Sequence, residues 1–425
     1  MVLQVLGLVI AALVLTHVLY LLWSSVRLHR GRQRLLDQAI AAARDEVESK
    51  RQEIERKRHE RELAWVGYRK FEVERKVVET AKGDVCSIYL VPHDKRPLPP
   101  YRPGQFLTFK LDPESAKGRG KSVVRCYSLS DCPRPNHYRV SIKRIPPPRS
   151  DPSLPPGVAS SHFHDEIQEG DILDVKAPSG VFYLDTTQER PVVLIGGGVG
   201  VTPLLSMLNA IVENGSKRET WFFYGVRNGE EQIAAEHLAA IDREHDNIHV
   251  QVCHSRPAPG DEKGSDYHHD RRVSVDLLRE VLPSNNYEYY ICAPPPMMQA
   301  LFTGLREWGV PEERIKCEAF GPAAVKKKKR AAARAGELAA GASKVTFSRS
   351  AKTCEWSDDS MVLLELASQN GVMIDSGCRV GNCNTCLTAI KGGSVSYIRD
   401  PDRMPETGSC LTCIAIPEGD LVLDA

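Results

Sequence analysis

The chain has 425 residues, enough for two or three domains, and its 56 basic and 55 acidic side chains leave a net charge of +1. This balance argues against a nucleic-acid partner, which would need a strongly basic surface. The 12 cysteines come without a cleavable secretory signal, so those outside a metal site are expected to be reduced thiols rather than a disulfide framework.

The first segment, residues 1–26, is predicted to be a transmembrane anchor. Residues 2–23 are apolar apart from Gln4, Gly7, Thr16 and His17, and about 20 apolar residues span a bilayer as a helix. Basic residues follow this run, and positive charge stays on the cytoplasmic side. We therefore expect a single-pass protein of the cytoplasmic membrane, in contact with lipid at its N-terminus and with its catalytic domains in the cytoplasm. A buried or interfacial helix is the alternative.

The second segment, residues 27–64, is charged, rich in alanine and predicted to be helical. Its apolar residues Leu36, Ile40, Ala43 and Val47 recur every three or four positions but form only a thin stripe. A solvated single-helix stalk therefore fits better than a coiled coil.

Residues 65–186 change to short runs of β-type sequence between turn signals. This pattern predicts an antiparallel β-barrel. The runs are FEVERKVVET, VCSIYLV, GQFLTFKL, HYRVSIKR and DILDVKA.

Residues 187–322 alternate between strand and helix patterns, which predicts an α/β domain with a parallel sheet. The strand runs are PVVLIGGG, WFFYGV, HVQVCHS and YEYYICA, and TPLLSMLNAIVENG follows the first of them as a helix. Residues 323–343 form a basic, alanine-rich linker. If that linker is flexible, the last domain can move between two partners.

The last segment, residues 344–425, carries a metal-binding cysteine pattern. Cys378, Cys383 and Cys386 have the C-x4-C-x2-C spacing of a plant-type [2Fe–2S] cluster, and Cys413 supplies a fourth thiolate. A zinc ribbon on Cys383, Cys386, Cys410 and Cys413 is the alternative, but it leaves Cys378 without a role.

The sequences SGCRVGNCNTC and LTCIAIP resemble plant-type ferredoxins over about residues 345–425. This resemblance implies an α+β domain of the β-grasp type with Cys378, Cys383, Cys386 and Cys413 as cluster ligands. The chain departs from that family at Cys410, which is either a bystander or an alternative to Cys413.

The motifs YRPGQF, RCYSLS and GVASSHFH resemble the ferredoxin–NADP reductase superfamily, and its flavohaemoglobin-type reductase branch in particular. The resemblance implies that Arg125 pairs with the flavin phosphate, that Tyr127 lies against the isoalloxazine and that Ser128 approaches flavin N5. It also implies Ser160 at the pyrophosphate. We expect FAD. FMN is the alternative, because the phthalate dioxygenase reductase arrangement has a C-terminal ferredoxin and uses FMN.

The motifs GGGVGVTP, CAPPPM and EAFGP extend the same resemblance. A glycine loop between a strand and a helix suits a dinucleotide phosphate. Cys292 is expected near the hydride-carrying carbon, although Ala293 replaces the family's glycine. Phe320, two residues after Glu318, is expected to cover the flavin until nicotinamide displaces it. We predict catalytic roles for Cys292, Phe320 and Ser128, and cofactor contacts from Gly197, Gly198, Gly200, Thr202, Glu318 and Phe320.

The choice between NADH and NADPH depends on the contacts available to a 2′-phosphate. Arg227, Ser255 and Arg256 occupy plausible positions for it. Similar turns occur in NADH-using relatives, so we favour NADH, bound with the help of Arg227, and keep NADPH as the alternative.

The order of electron transfer follows from what each group can carry. Nicotinamide delivers two electrons as hydride, a [2Fe–2S] cluster accepts one at a time, and a flavin does both, so the flavin lies between them. The sequence predicts a membrane-anchored NAD(P)H-dependent reductase that serves a membrane-associated oxygenase, desaturase or other redox protein. One alternative is a subunit of an NADH:quinone-type respiratory reductase, against which the domain order counts. The other is a membrane-tethered scaffold with a structural zinc site.

Overall fold

The computed structural model divides into two compact units, Met1–Leu63 and Ala64–Ala425. It describes residues 65, 67–113, 122–147, 151–153, 155–320, 343–356, 361–377, 379, 381, 383–398, 401 and 404–425, together with scattered positions in the first unit. In the first unit the described positions, which include Leu15, Trp23 and Arg51, are helical. No helix of the described residues is long and apolar enough to cross a membrane. Most of the predicted anchor and stalk, and nearly all of the predicted linker, lie outside the described residues.

The second unit begins with a six-stranded antiparallel barrel. Its sheet order is β4-β3-β6-β1-β2-β5, and a bridge between Leu129 and Val140 joins the two edges. Alternating apolar residues fill the interior, where Phe71, Phe109 and Tyr138 are fully buried. The strands are β1 Arg69–Val78, β2 Val85–Pro92, β3 Phe106–Leu111, β4 Val123–Ser128, β5 Tyr138–Lys143 and β6 Ile172–Ser179. Helix α1 (Val158–Asp165) connects β5 with β6.

An α/β domain follows, built on a five-stranded parallel sheet of order β11-β10-β7-β8-β9. Its strands have the near-continuous apolar sequence of a sheet covered on both faces. The strands are β7 Val192–Gly197, β8 Thr220–Val226, β9 Ile248–His254, β10 Glu288–Cys292 and β11 Ile315–Glu318. The helices are α2 Val201–Glu213, α3 Ala235–Glu244, α4 Val275–Val281 and α5 Pro295–Glu307.

The C-terminal domain has a mixed sheet of order β13-β12-β18-β14-β16, a two-stranded sheet β15-β17 and helix α6 (Leu363–Gln369). Its strands are β12 Ser343–Phe347, β13 Lys352–Trp356, β14 Leu387–Gly392, β15 Val395–Tyr397, β16 Ser409–Leu411, β17 Ala415–Pro417 and β18 Leu421–Leu423. The predicted barrel, parallel-sheet domain and α+β domain are therefore confirmed.

Candidate functional site

Strand β4 carries the RCYSLS motif at the edge of the barrel. Arg125 is exposed, and its Nη1 donates a hydrogen bond to the backbone carbonyl of Val124 at 2.8 Å. The ring of Tyr127 meets that of Phe163 edge-on at 5.2 Å, and burial raises the pKa of the Tyr127 phenol. Ser128 is buried beside it. The strand thus presents a guanidinium suited to a phosphate, an aromatic ring and a hydroxyl next to one another.

Helix α1 follows Gly157 and supplies two serines with different surroundings. The Ser160 hydroxyl accepts a hydrogen bond from the Ile145 N–H at 3.1 Å and donates to the Gly157 carbonyl at 2.9 Å. The Ser161 hydroxyl is buried and has no partner within the described structure. A buried hydroxyl without a partner in the first turns of a helix fits a phosphate ligand. The sequence motif drew attention only to Ser160, and nothing in the spacing distinguishes Ser161.

The glycine loop connects β7 with helix α2. A Cβ atom on Gly200 would lie 2.2 Å from the Cys292 carbonyl oxygen, and one on Gly197 would lie 2.9 Å from the Ala293 Cβ. Both glycines are thus required for packing against the end of β10. Gly198 differs, because its φ is +55° and the space where its Cβ would lie is open. That open space fits the close approach of a dinucleotide. Ala293, the departure from the family motif, is accommodated against Gly197.

The ends of β10 and β11 bring two buried acidic groups together. Cys292 and Glu318 are paired in the parallel register. Burial raises the pKa of Glu318 to about 8, and its Oε2 has no hydrogen-bond partner among the described residues. Burial, and then the neighbouring Glu318 carboxyl, raises the pKa of the Cys292 thiol. A neutral thiol and a largely protonated carboxyl therefore line this end of the sheet. The unpaired oxygen fits a nicotinamide carboxamide, which would satisfy it.

The remaining residues predicted for this site lie around the same edge of the sheet. The hydroxyl of Thr202 is buried and donates to the Val199 carbonyl at 3.0 Å. Phe320 is 45% exposed at the end of the described segment. Its ring is therefore accessible to a ligand. Arg227 follows β8 and is held by Glu231, whose Oε2 accepts from its Nε at 2.9 Å.

The cysteines of the C-terminal domain fall into two groups. Cys386 and Cys413 belong to one apolar cluster with Leu411 and Ile414, and Cys383 is buried nearby. Cys410 instead packs into the main core of the domain, and burial raises its pKa to about 12. Cys410 thus packs in a different apolar cluster from Cys386 and Cys413.

The loop before Cys383 also fits a cluster. Cys378 lies outside the described residues, and among those described no group of three potential metal ligands is gathered. A Cβ on Gly377 would lie 2.9 Å from the Cys383 sulfur, so the loop closes there only with glycine. The Thr385 hydroxyl is buried and has no partner among the described residues, and it can donate to a cluster sulfur.

This loop packs against strand β4 of the barrel. A Cβ on Gly377 would lie 3.4 Å from Val124 Cγ1. The pKa of Tyr68 is raised by burial and then by the nearby charges of Asp375 and Cys383. The strand that carries Arg125 and Tyr127 therefore also touches the cysteine loop.

Three family models match the chain in the same order as its domains. An oxidoreductase FAD-binding domain matches residues 89–183, an oxidoreductase NAD-binding domain matches residues 194–302, and a 2Fe-2S iron-sulfur cluster binding domain matches residues 345–418. The predictions of FAD, a nicotinamide dinucleotide and a [2Fe–2S] cluster as cofactors are thereby confirmed.

Relatives match the reductase part alone or together with the ferredoxin domain. A flavohemoprotein of Halalkalibacterium halodurans is 39% identical over 259 residues, which are 61% of this chain and 61% of that protein. The chain thus spans about three fifths of this curated relative's length. The FAD/NAD-binding domain of a nitric oxide dioxygenase from Vibrio cholerae is 30% identical with a TM-score of 0.52, and the match covers 60% of this chain and all of that one.

A structure of phthalate dioxygenase reductase extends the match across the ferredoxin domain. It is 25% identical with a TM-score of 0.51, and the match covers 84% of this chain and 98% of that one. Taken with the order of the three domains and the residues gathered at β4, the glycine loop and the cysteine loop, these matches show that the chain belongs to the ferredoxin reductase type of oxidoreductases, with FAD-binding, NAD-binding and [2Fe–2S] domains.

Proposed function

We propose that the chain takes electrons from NADH and delivers them singly, through its own [2Fe–2S] domain, to a separate acceptor protein at a membrane. The observation that carries this proposal is the contact between the cysteine loop and strand β4, where Gly377 lies against Val124. When bound, FAD accepts hydride from NADH and releases electrons one at a time, which a [2Fe–2S] cluster requires.

The residues of the chain divide this work among them. Arg125 and Ser161 hold flavin phosphates, and Tyr127 and Ser128 orient the ring. Gly198 admits the dinucleotide, while Cys292 and Glu318 keep the nicotinamide end free of full charges.

An oxygenase or a related redox protein is the acceptor that the comparisons favour, since the matched phthalate dioxygenase reductase is named for such a partner. The apolar run of residues 2–23, followed by basic residues, supports attachment to the cytoplasmic membrane. Removing residues 1–26 should release the protein from sedimented membranes without changing flavin reduction by NADH. Retention on the membranes would contradict the anchor.

The loop contact is tested by replacing Val124, which is only 7% exposed, with aspartate. A carboxylate buried there without a partner costs several kcal/mol, enough to displace the cysteine loop. We expect NADH to reduce the flavin at the wild-type rate. Reduction of the cluster should slow by roughly tenfold or more, because each 1.4 kcal/mol that disfavours the packed loop lowers its population about tenfold. Stopped-flow absorbance and freeze-quenched EPR after one equivalent of NADH measure the two steps separately.

The matched control is Val78→Asp, since Val78 is 65% exposed at the far end of β1. It should leave both steps at the wild-type rate. Cluster reduction at an unchanged rate in the Val124→Asp variant would show that electrons do not cross at this contact.

A further inference from the structure

Arg227 stands at the edge of the parallel sheet where a dinucleotide binds. Strands β7 and β8 are neighbours in register, with Gly197 opposite Gly225, and Arg227 lies two residues beyond that pair. In open parallel sheets the ligand binds outside the carboxyl ends of the strands. An arginine close to the adenosine ribose there can accept the 2′-phosphate that distinguishes NADPH from NADH.

In this chain the Arg227 guanidinium already pairs with the carboxylate of Glu231. Its Nε donates to Glu231 Oε2 at 2.9 Å, and its Nη2 contacts the other carboxylate oxygen, so the pair is bidentate. Lys82 Nζ, from the turn between β1 and β2, lies 3.2 Å from the same carboxylate. Burial alone would raise the pKa of Glu231, but Arg227, Lys143 and Lys82 together lower it, so the side chain is ionised at neutral pH.

The segment that carries Glu231 is fixed from both sides. The Gly229 N–H donates to the Asp261 carboxylate at 3.1 Å, and the Lys82 N–H donates to the Glu230 carbonyl at 3.3 Å. The Glu231 side chain itself is only 10% exposed. The fold therefore holds the Glu231 carboxylate in its ion pair with Arg227.

We propose that Glu231 is a specificity-determining residue that selects NADH over NADPH. Its carboxylate takes the donors that a 2′-phosphate would need, and its charge repels that phosphate. This inference rests on the proposed function, in which NADH is the electron donor.

A second arginine at the same edge provides the rival explanation. The Arg256 N–H donates to the Arg227 carbonyl at 2.8 Å, and the Arg256 side chain is exposed. If Arg256 alone contacts the 2′-phosphate, then the charge on Glu231 has no bearing on the choice of nucleotide.

The test compares Glu231→Gln with Glu230→Gln, a neutralisation of the adjacent exposed carboxylate. We expect the ratio of kcat/KM for NADPH to that for NADH to rise by roughly tenfold or more in Glu231→Gln, because a charge-assisted bidentate contact becomes available. The gain should lie in KM for NADPH, and Glu230→Gln should leave the ratio unchanged. Calorimetry should show the same gain in affinity for adenosine 2′,5′-bisphosphate and none for AMP, a readout independent of turnover.

The double variant Glu231→Gln/Arg227→Ala separates this mechanism from the rival and from simple loosening of the loop. It should lose the gained affinity for adenosine 2′,5′-bisphosphate. An unchanged nucleotide ratio in Glu231→Gln, or a gain that survives in the double variant but disappears in Glu231→Gln/Arg256→Ala, would overturn the inference. Failure of NADH to reduce the wild-type flavin would instead refute the proposed function, so the two failures are distinguishable.

Discussion

Serine substitutions at Cys413 and Cys410 should have opposite effects, because the structure gives the two cysteines different neighbours. Cys413 lies with Cys386 in the apolar cluster beside the cysteine loop, so Cys413→Ser should abolish the [2Fe–2S] signal. Cys410 is fully buried in the core with Val345 and Phe347. Cys410→Ser should retain the cluster, while its buried hydroxyl costs about 1–3 kcal/mol if it finds no partner. For a domain of this size, each kcal/mol lowers the unfolding midpoint by roughly 4–8 °C.

Iron and acid-labile sulfide per chain, together with EPR of the dithionite-reduced protein, measure cluster content, and thermal unfolding measures stability. Bleaching of the flavin by NADH is the internal control, since neither substitution touches β4 or the glycine loop. The assignment is refuted if Cys410→Ser loses the cluster while Cys413→Ser keeps it. A cluster that survives both substitutions would equally show that Cys413 is not a ligand.

Four further substitutions test the nucleotide and flavin sites. Gly200→Ala should destabilise the fold and abolish flavin bleaching by NADH, because its Cβ would lie 2.2 Å from a backbone oxygen. Gly198→Ala should fold at a cost of about 1–2 kcal/mol, because its φ is positive, and should mainly raise KM for NADH. Ser161→Ala should weaken FAD retention, measured by the fluorescence of released flavin, without lowering the stability of the apoprotein. Glu318 has a pKa near 8 in the fold against an ordinary value of 4.5, so the folded chain binds this proton more tightly and loses stability as pH rises between these values. Glu318→Gln should flatten that dependence in thermal unfolding of the apoprotein, and an equally steep decline in the variant would contradict the assignment.

Local periodicity predicted most of the elements that build the site. The alternation in VCSIYLV and the apolar run PVVLIGGG correspond to β2 and β7, and the helix predicted after the glycine loop is α2, Val201–Glu213. These signals are reliable because each element buries a face whose spacing is fixed by its own geometry. Helix α1 was not predicted, since VASSHFHD is short and polar and is helical mainly because Phe163 packs into the barrel.

The pairings that tune the site could not be predicted in the same way. Cys292 and Glu318 are distant in sequence and meet only because β10 and β11 are adjacent in register. The Ser161 hydroxyl has no hydrogen-bond partner among the described residues, and sequence spacing cannot predict the lack of a partner. Arg227 and Glu231 are close in sequence, but the lysine that completes their cluster comes from the barrel. The motifs identify which residues form the site, whereas tertiary packing determines their charge states and their hydrogen-bond partners.

Strand β4 shows how one element can serve two cofactor sites. Successive residues of a strand point to opposite faces. Arg125 lies opposite Phe109 in the ladder and shares the face on which Tyr127 meets Phe163, while Val124 points the other way, toward Gly377. Strand β4 therefore carries Arg125 and Tyr127 on one face and packs against the cysteine loop with the other.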